Sequence, residues 1–183
     1  MKKKKILGID YGDFSIGLAI FDLETDFIFP YKTIFRDKAN VLRKSIREII
    51  EIIKVENITD IVIGLPLNAD GTEGDRVEKV KNFAHMLGNA IVNAAKKNND
   101  VEMNKIIEAS QTVGASATVG ASEIVGASYA SPNIYFQDER LTTVEAKIIL
   151  AERGIKKTDW KKTIDQIAAE LILQDYKHSN KFN

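Results

Sequence analysis

The stretch Ile6-Leu-Gly-Ile-Asp-Tyr-Gly-Asp-Phe-Ser-Ile-Gly-Leu-Ala-Ile-Phe21 holds two apolar runs, 6–9 and 16–21, with Tyr11-Gly12-Asp13 between them. An apolar strand that ends in the carboxylate of Asp10, turns through glycine and returns as a second apolar strand reads as a β-hairpin. The hairpin precedes any helical pattern. Residues 31–35 supply a third strand, so the chain opens on an antiparallel sheet.

Downstream the period changes. Leu42, Ile46, Ile49, Ile50 and Ile53 recur at three- and four-residue steps, with Arg43, Arg47, Glu51 and Lys54 facing the other way, which marks an amphipathic helix. Ile61-Val62-Ile63 is a β-branched strand core, stopped by Gly64-Leu65-Pro66 and a turn at Asp70-Gly71. A second helix over about residues 75–88 carries Val77, Val80, Phe83, Ala84 and Leu87 on one stripe. Residues 134–136 form the next strand. Thr142-Thr143-Val144-Glu145 then opens a helix with the Thr-x-x-Glu pattern of a capping box, and Gly154 closes it. The last helix spans about residues 163–176. Antiparallel strands first and alternating helices and strands afterward predict an α/β fold, a mixed five-stranded sheet flanked by helices, with a right-handed parallel crossover.

The 183 residues suit one domain, and the 44% hydrophobic content is enough for a sizeable core. With 26 basic and 26 acidic residues there is no net positive field, so any nucleic-acid binding has to come from a local basic patch. The absence of cysteine excludes disulfides, thiolate metal sites and cysteine nucleophiles, and agrees with a reducing compartment. The Lys2 to Lys5 run is followed by too short an apolar run for a signal peptide, and no segment nears the roughly 18 apolar residues of a membrane span. A cytoplasmic protein with no membrane contact is expected.

Residues 89–132 break the rhythm, being far longer than an ordinary helix-to-strand connection. Val-Gly-Ala-Ser occurs at Val113, Val119 and Val125, a six-residue repeat with little to build a core. Three copies are too few for a β-solenoid. The segment reads as a mobile or loosely helical low-complexity insertion within the single domain, with residues 101–109 able to extend a helix, or as a partner-binding arm.

Chemistry concentrates on carboxylates. Asp10 ends an apolar strand at the edge of an α/β sheet where ligands bind, although a turn residue accepting the Gly12 and Asp13 amides is an equal alternative. Asp165 shares a helical face with Ala168, Ala169 and Ile172, while Gln166, Glu170 and Gln174 mark the wet side. A carboxylate on a packing stripe needs a cation, a metal or several donors, and Lys161 or Lys162 is the simplest such partner. Asp138 and Glu139 end the 134–136 strand and point to opposite faces, so one of them can reach the Asp10 edge. Three carboxylates from two strand ends and a helix face are the hard oxygen donors that Mg2+ or Mn2+ prefers, and they suit phosphodiester hydrolysis. Thr142 and Glu145 are explained by capping, and His85 and His178 read as surface residues.

The segments Gly8-Ile-Asp-Tyr-Gly12, Ile16-Gly-Leu-Ala19, Gly64-Leu-Pro-Leu-Asn-Ala-Asp-Gly-Thr-Glu-Gly74, Asp138-Glu-Arg-Leu-Thr-Thr-Val-Glu-Ala146 and Ile164-Asp-Gln-Ile-Ala-Ala169 together resemble the YqgF/RuvX family. Each motif is weak singly, and five in the right order are strong. The resemblance covers nearly all the chain outside residues 89–132. It implies an RNase H-like fold and a metal-dependent nuclease that processes the 5′ end of pre-16S ribosomal RNA, in a family also described as Holliday junction resolvase-like.

By that resemblance the catalytic and metal-holding acids are Asp10, Glu139 within Asp138-Glu-Arg, and Asp165, with Mg2+ or Mn2+ as cofactor. The loop 68–74 would border the site, and Asn68, Arg140, Lys161 and Lys162 are the expected nucleic-acid contacts. Two departures stand out. Family members often carry a basic residue where Phe14 and Ser15 stand here, and the Val-Gly-Ala-Ser insertion is foreign to the pattern.

Competing readings are a resolvase acting on branched DNA and a non-catalytic nucleic-acid or ribosome-associated binding factor. A sugar-kinase or actin-like domain would need a second lobe, for which the chain is too short. Oligomeric state is not legible.

Overall fold

The computed structural model describes residues 4–36, 42–68, 70–97, 132–139 and 142–179. They form strands β1 (Lys5–Tyr11), β2 (Ser15–Asp22), β3 (Phe27–Phe35), β4 (Ile58–Leu65) and β5 (Asn133–Asp138). The described helices are α1 (Leu42–Glu56), α2 (Asp75–Lys97), α3 (Thr142–Glu152) and α4 (Trp160–Ser179).

The strands make one five-stranded sheet in the order β3-β2-β1-β4-β5. β1, β2 and β3 pair antiparallel, whereas β1–β4 and β4–β5 are parallel, the mixed five-stranded sheet expected from the sequence. The hairpin turn after β1 is closed by Gly12 N–H donating to the Ser15 carbonyl at 2.9 Å. After β2, the Asp22 carboxylate accepts the Glu24 amide at 2.9 Å and Asp26 adopts a left-handed φ of 56°. β3 starts at Phe27, four residues before the expected Tyr31, and accommodates Pro30 beside a register shift at Leu18/Ala19. Pro30 disguised those residues, because proline removes a ladder donor and is tolerated only at edges and bulges.

The strands alternate cleanly between two cores. Leu7, Ile9, Leu18, Ile20, Ile61 and Ile63 face α1 and α2, where Ile46, Ile49, Ile53, Phe83 and Leu87 meet them. Burying each such side chain contributes about 1.5–3 kcal/mol. On the other face Ile6, Ala19, Phe21 and Val62 pack under Ala169, Ile172, Leu173 and Tyr176 of α4. A third cluster, Ala146, Leu150, Ile167 and Leu171, holds α3 against α4.

α2 continues to Lys97 rather than stopping near Gly88. Ile91 is buried and Ala90 and Ala94 pack on the core, so residues 89–97, expected to open the insertion, complete a helical stripe instead. The Val-Gly-Ala-Ser repeats and residues 101–109 lie outside the described residues. α3 begins at Thr142 as the capping pattern predicts, and Gly154, at φ 68°, ends it with Ile155 N–H donating to the Leu150 carbonyl at 3.1 Å. α4 is longer than expected, Trp160–Ser179, and includes Lys161 and Lys162 in its first turn. Glu170, assigned to the wet side, is buried at 7% exposure. α3 covers that side of α4, and Arg153 at the end of α3 approaches Glu170 to 3.6 Å.

Candidate active site

The parallel pairing of β1, β4 and β5 brings their C-terminal ends to one edge of the sheet. Asp10 lies near the end of β1, Gly64 near the end of β4, and Glu139 directly follows β5, its amide donating to the Leu65 carbonyl at 3.2 Å. α4 crosses the same face and brings Asp165 over β2.

Gly8, under Ala169 and Leu173, helps make that crossing possible, and two further glycines lie under the acids themselves. Gly17 is the register partner of Asp10, and a Cβ there would stand 2.7 Å from the Cβ of Asp165 and overlap its backbone carbonyl. A Cβ at Gly64 would stand 2.9 Å from the Glu139 carboxyl carbon and 2.5 Å from a methyl of Ile172. Side chains at either position would push the acids off the sheet.

Asp10 sits electrostatically between the other two. Burial and then the negative charge of Asp165 push its carboxyl up to about 7, against the pull of the Arg76 guanidinium. Glu139, at 8% exposure, is pushed up to about 8 by burial and then by Asp10, again opposed by Arg76. Asp165 is raised by burial and held down by a hydrogen bond with Ser15. Mutual repulsion at one sheet edge is what a cation would relieve, and oxygen-only donors match Mg2+ or Mn2+. Among the described residues, however, no three acidic or histidine side chains converge on a single point. Asp10 feels the charge of Asp165, and Glu139 feels that of Asp10.

Of the adjacent acids Asp138 and Glu139, Glu139 packs over Gly64 and feels Asp10. Asp138 instead lines an open polar pocket with Gln137, Asp175 and His178. Gly12, whose amide offered Asp10 a turn partner, gives it to the Ser15 carbonyl. Asn68 is exposed and builds its own loop. Its side-chain amide donates to the Thr72 hydroxyl at 2.9 Å, and its backbone closes the turn with Gly71 and Thr72. Arg140 and the side chains of Lys161 and Lys162 lie outside the described residues.

Sequence reading missed Ser15, Arg76 and Arg36. Ser15 lies two residues before Gly17 on β2, and so on the same face. Arg76 stands in the first turn of α2, where nothing local distinguishes it. Arg36 follows β3 and clamps the β1–β2 turn from a distance. It lies 4.8 Å over the Tyr11 ring, donates to the Tyr11 hydroxyl at 3.3 Å and to the Gly12 carbonyl, and its own amide donates to the Phe14 carbonyl at 2.7 Å. Tyr11 in turn stacks on Phe83 of α2 at 4.3 Å, and Asp13 pairs with Lys79 at 2.9 Å.

Comparison with known proteins places these features in a family. The family model described as "RuvX: Holliday junction resolvase" matches residues 4–127 and 121–178. The "Putative pre-16S rRNA nuclease" of Carboxydothermus hydrogenoformans is 32% identical over 172 residues, covering 94% of each chain. The protein of the same name from Acetivibrio thermocellus is 35% identical over 173 residues, again covering 94% of each. A solved structure, "T. thermophilus RuvC in complex with Holliday junction substrate", aligns with 97% of this chain and 96% of its own at TM-score 0.48 and 10% identity. With a family model spanning nearly every described element and relatives above 30% identity over almost the whole length, the chain belongs to the RuvX family.

Proposed function

We propose that this protein is a metal-dependent nuclease that hydrolyses phosphodiester bonds and processes the 5′ end of pre-16S ribosomal RNA in the cytoplasm. The observation that carries the reading is the position of Asp10 between Glu139 and Asp165, with the first two carboxyls pushed up to about 7 and about 8 at one sheet edge. The names of the relatives supply the substrate.

In this reading Asp10, Glu139 and Asp165 would hold Mg2+ or Mn2+, which when bound would supply charge neutralisation at the phosphoryl oxygens and a more acidic water. The chain's own residues do the positioning. Ser15 fixes Asp165 by its hydrogen bond. Arg76 adds positive charge beside Asp10 and Glu139, which favours their ionised forms and an approaching phosphate. Asn68, Arg140, Lys161 and Lys162 are the proposed contacts to the nucleic-acid backbone, where they would orient the strand without reading its sequence.

The test is cleavage of an RNA spanning the 5′ boundary of 16S rRNA, with Mg2+ or Mn2+ and with chelator. Cation-dependent cutting that Asp10→Asn and Asp165→Asn both abolish, with circular dichroism unchanged, is expected. Cutting by both variants at the parent rate would overturn the site. Cleavage of a four-way DNA junction in preference to the RNA would favour the resolvase reading named in the family description. RNA binding without any cleavage would favour a binding factor.

A further inference from the structure

The β1–β2 turn carries an acid that the carboxylate site does not use. Asp13 lies three residues after Asp10, and its side chain meets cations. Both of its oxygens accept from Lys79 Nζ, at 2.9 and 3.2 Å. That hydrogen bond first, and then the charges of Lys79, Arg76 and Arg36, hold its carboxyl below the usual aspartate range.

Arg76, Lys79 and Phe83 follow one another at three- and four-residue steps and so share one side of α2. Two contacts fix where that side points. Phe83 stacks on Tyr11 at 4.3 Å, and Lys79, one helical turn earlier, reaches Asp13, two residues further along. Arg76 comes one turn earlier again. It is the cation whose charge is felt by Asp10 and Glu139 as well as by Asp13. One arginine thus acts on both the carboxylate edge and the Lys79–Asp13 pair.

A carboxylate spreads one negative charge over two oxygens, and a phosphodiester does the same with its two non-bridging oxygens. Side chains that hold one anion in this way suit the other. Lys79 and Asp13 are both half exposed, and an ion pair in water stabilises little, so one anion can replace the other at small cost. Three residues span at most about 11 Å of chain, a distance that a few nucleotides of strand cover. Resting on the nuclease reading above, we propose that Arg76 and Lys79 form a phosphate subsite beside the carboxylates, and that Asp13 fills it until a backbone phosphate of the nucleic acid takes its place. The acid is a placeholder. It keeps the cation of Lys79 on the path of the strand while no substrate is bound, and it turns into water when the strand arrives.

The experiment measures binding of the full chain, in chelator and across a salt series, to an RNA spanning the 5′ boundary of 16S rRNA. Asp13→Asn removes the competing charge and should tighten binding about 2- to 5-fold, the worth of an exposed ion pair. Lys79→Gln should weaken binding and lower the slope of log affinity against log salt by about 0.7–0.9, the signature of one lost phosphate contact. Asp26→Asn controls for net charge. Asp26 pairs with Lys177 at 2.6 Å in the turn at the other end of β2, so its loss should change affinity less than Asp13→Asn does. An unchanged salt slope in Lys79→Gln, or equal tightening by Asp13→Asn and Asp26→Asn, would overturn the subsite. So would parent-like or weaker binding by Asp13→Asn, which would make the pair a clamp on the turn and nothing more. Tightening by Asp13→Asn with no cleavage by the parent in Mg2+ or Mn2+ would instead sink the nuclease reading and leave the subsite standing.

Discussion

Gly17 lies beneath Asp165 so closely that even a methyl group at residue 17 would stand 2.7 Å from the Cβ of that aspartate. The substitution Gly17→Ala would ordinarily favour a strand, since glycine is costly there. Here it forces α4 off β2, and overpacking of this kind costs about 1–3 kcal/mol. Thermal unfolding should show a lower Tm, and cleavage should fall more than stability does, because Asp165 moves with the helix. An unchanged Tm would mean that α4 does not press on β2 at this point.

The acids predict an unusual pH dependence for the metal-free protein. Unfolded carboxyls release their protons near pH 4, whereas Asp10 and Glu139 hold theirs up to about 7 and about 8 in the folded chain. The native state thus binds more protons between about pH 4 and 8, and its stability must fall as pH rises through that window. Urea unfolding in chelator at pH 5 and pH 8 measures this, with the higher midpoint expected at pH 5. Asp10→Asn should flatten the difference, and added Mg2+ should restore stability at pH 8.

Arg76 opposes the raised carboxyls of both Asp10 and Glu139. Removing its charge in Arg76→Ala should let both acids hold their protons to still higher pH, and at about pH 9, where protons compete less, should tighten Mn2+ binding by calorimetry, because the guanidinium repels a cation held there. Arg76→Lys should leave the affinity near that of the parent. Equal affinity in all three proteins would show that Arg76 acts elsewhere.

A purely structural acid offers a contrast. Burial raises the Glu170 carboxyl, Arg153 approaches it to 3.6 Å, and one of its oxygens accepts no hydrogen bond among the described residues. Arg153 is half exposed, so Arg153→Ala should cost only about 1 kcal/mol, more at pH 8 than at pH 5, where Glu170 is more readily protonated. Glu170→Gln should be neutral or stabilising by the same unfolding assay, with cleavage untouched.

What could be read from the chain followed the reach of its patterns. The β1–β2 hairpin, α1, β4 and α3 rest on runs of neighbours or fixed helical steps, and each was legible. β3 was cut short by Pro30, and α2 was ended too early because Gly88 looked like a stop while Ile91 and Ala94 continued the buried stripe. Glu170 seemed wet because helical periodicity shows one apolar face, whereas α4 packs against the sheet on one side and α3 on the other. At the site, Asp10 and Asp165 stood out through their placement, and Glu139 was distinguished from Asp138 only by family motif. Ser15, Arg36 and Arg76 carried no local signal, since their roles arise from strand pairing and from a helix start folded back over β1.

α4 supplies Asp165 and also covers the second face of the sheet, and it follows every strand in chain order. Until α4 is made, Ile6, Ala19, Phe21 and Val62 lack the cover it provides, and the proposed site lacks Asp165. The same 20 residues therefore carry two duties. A chain truncated before them would lose the seal over that apolar face and one acid of the proposed site together, so that in this reading exposure of the face and loss of cleavage go hand in hand.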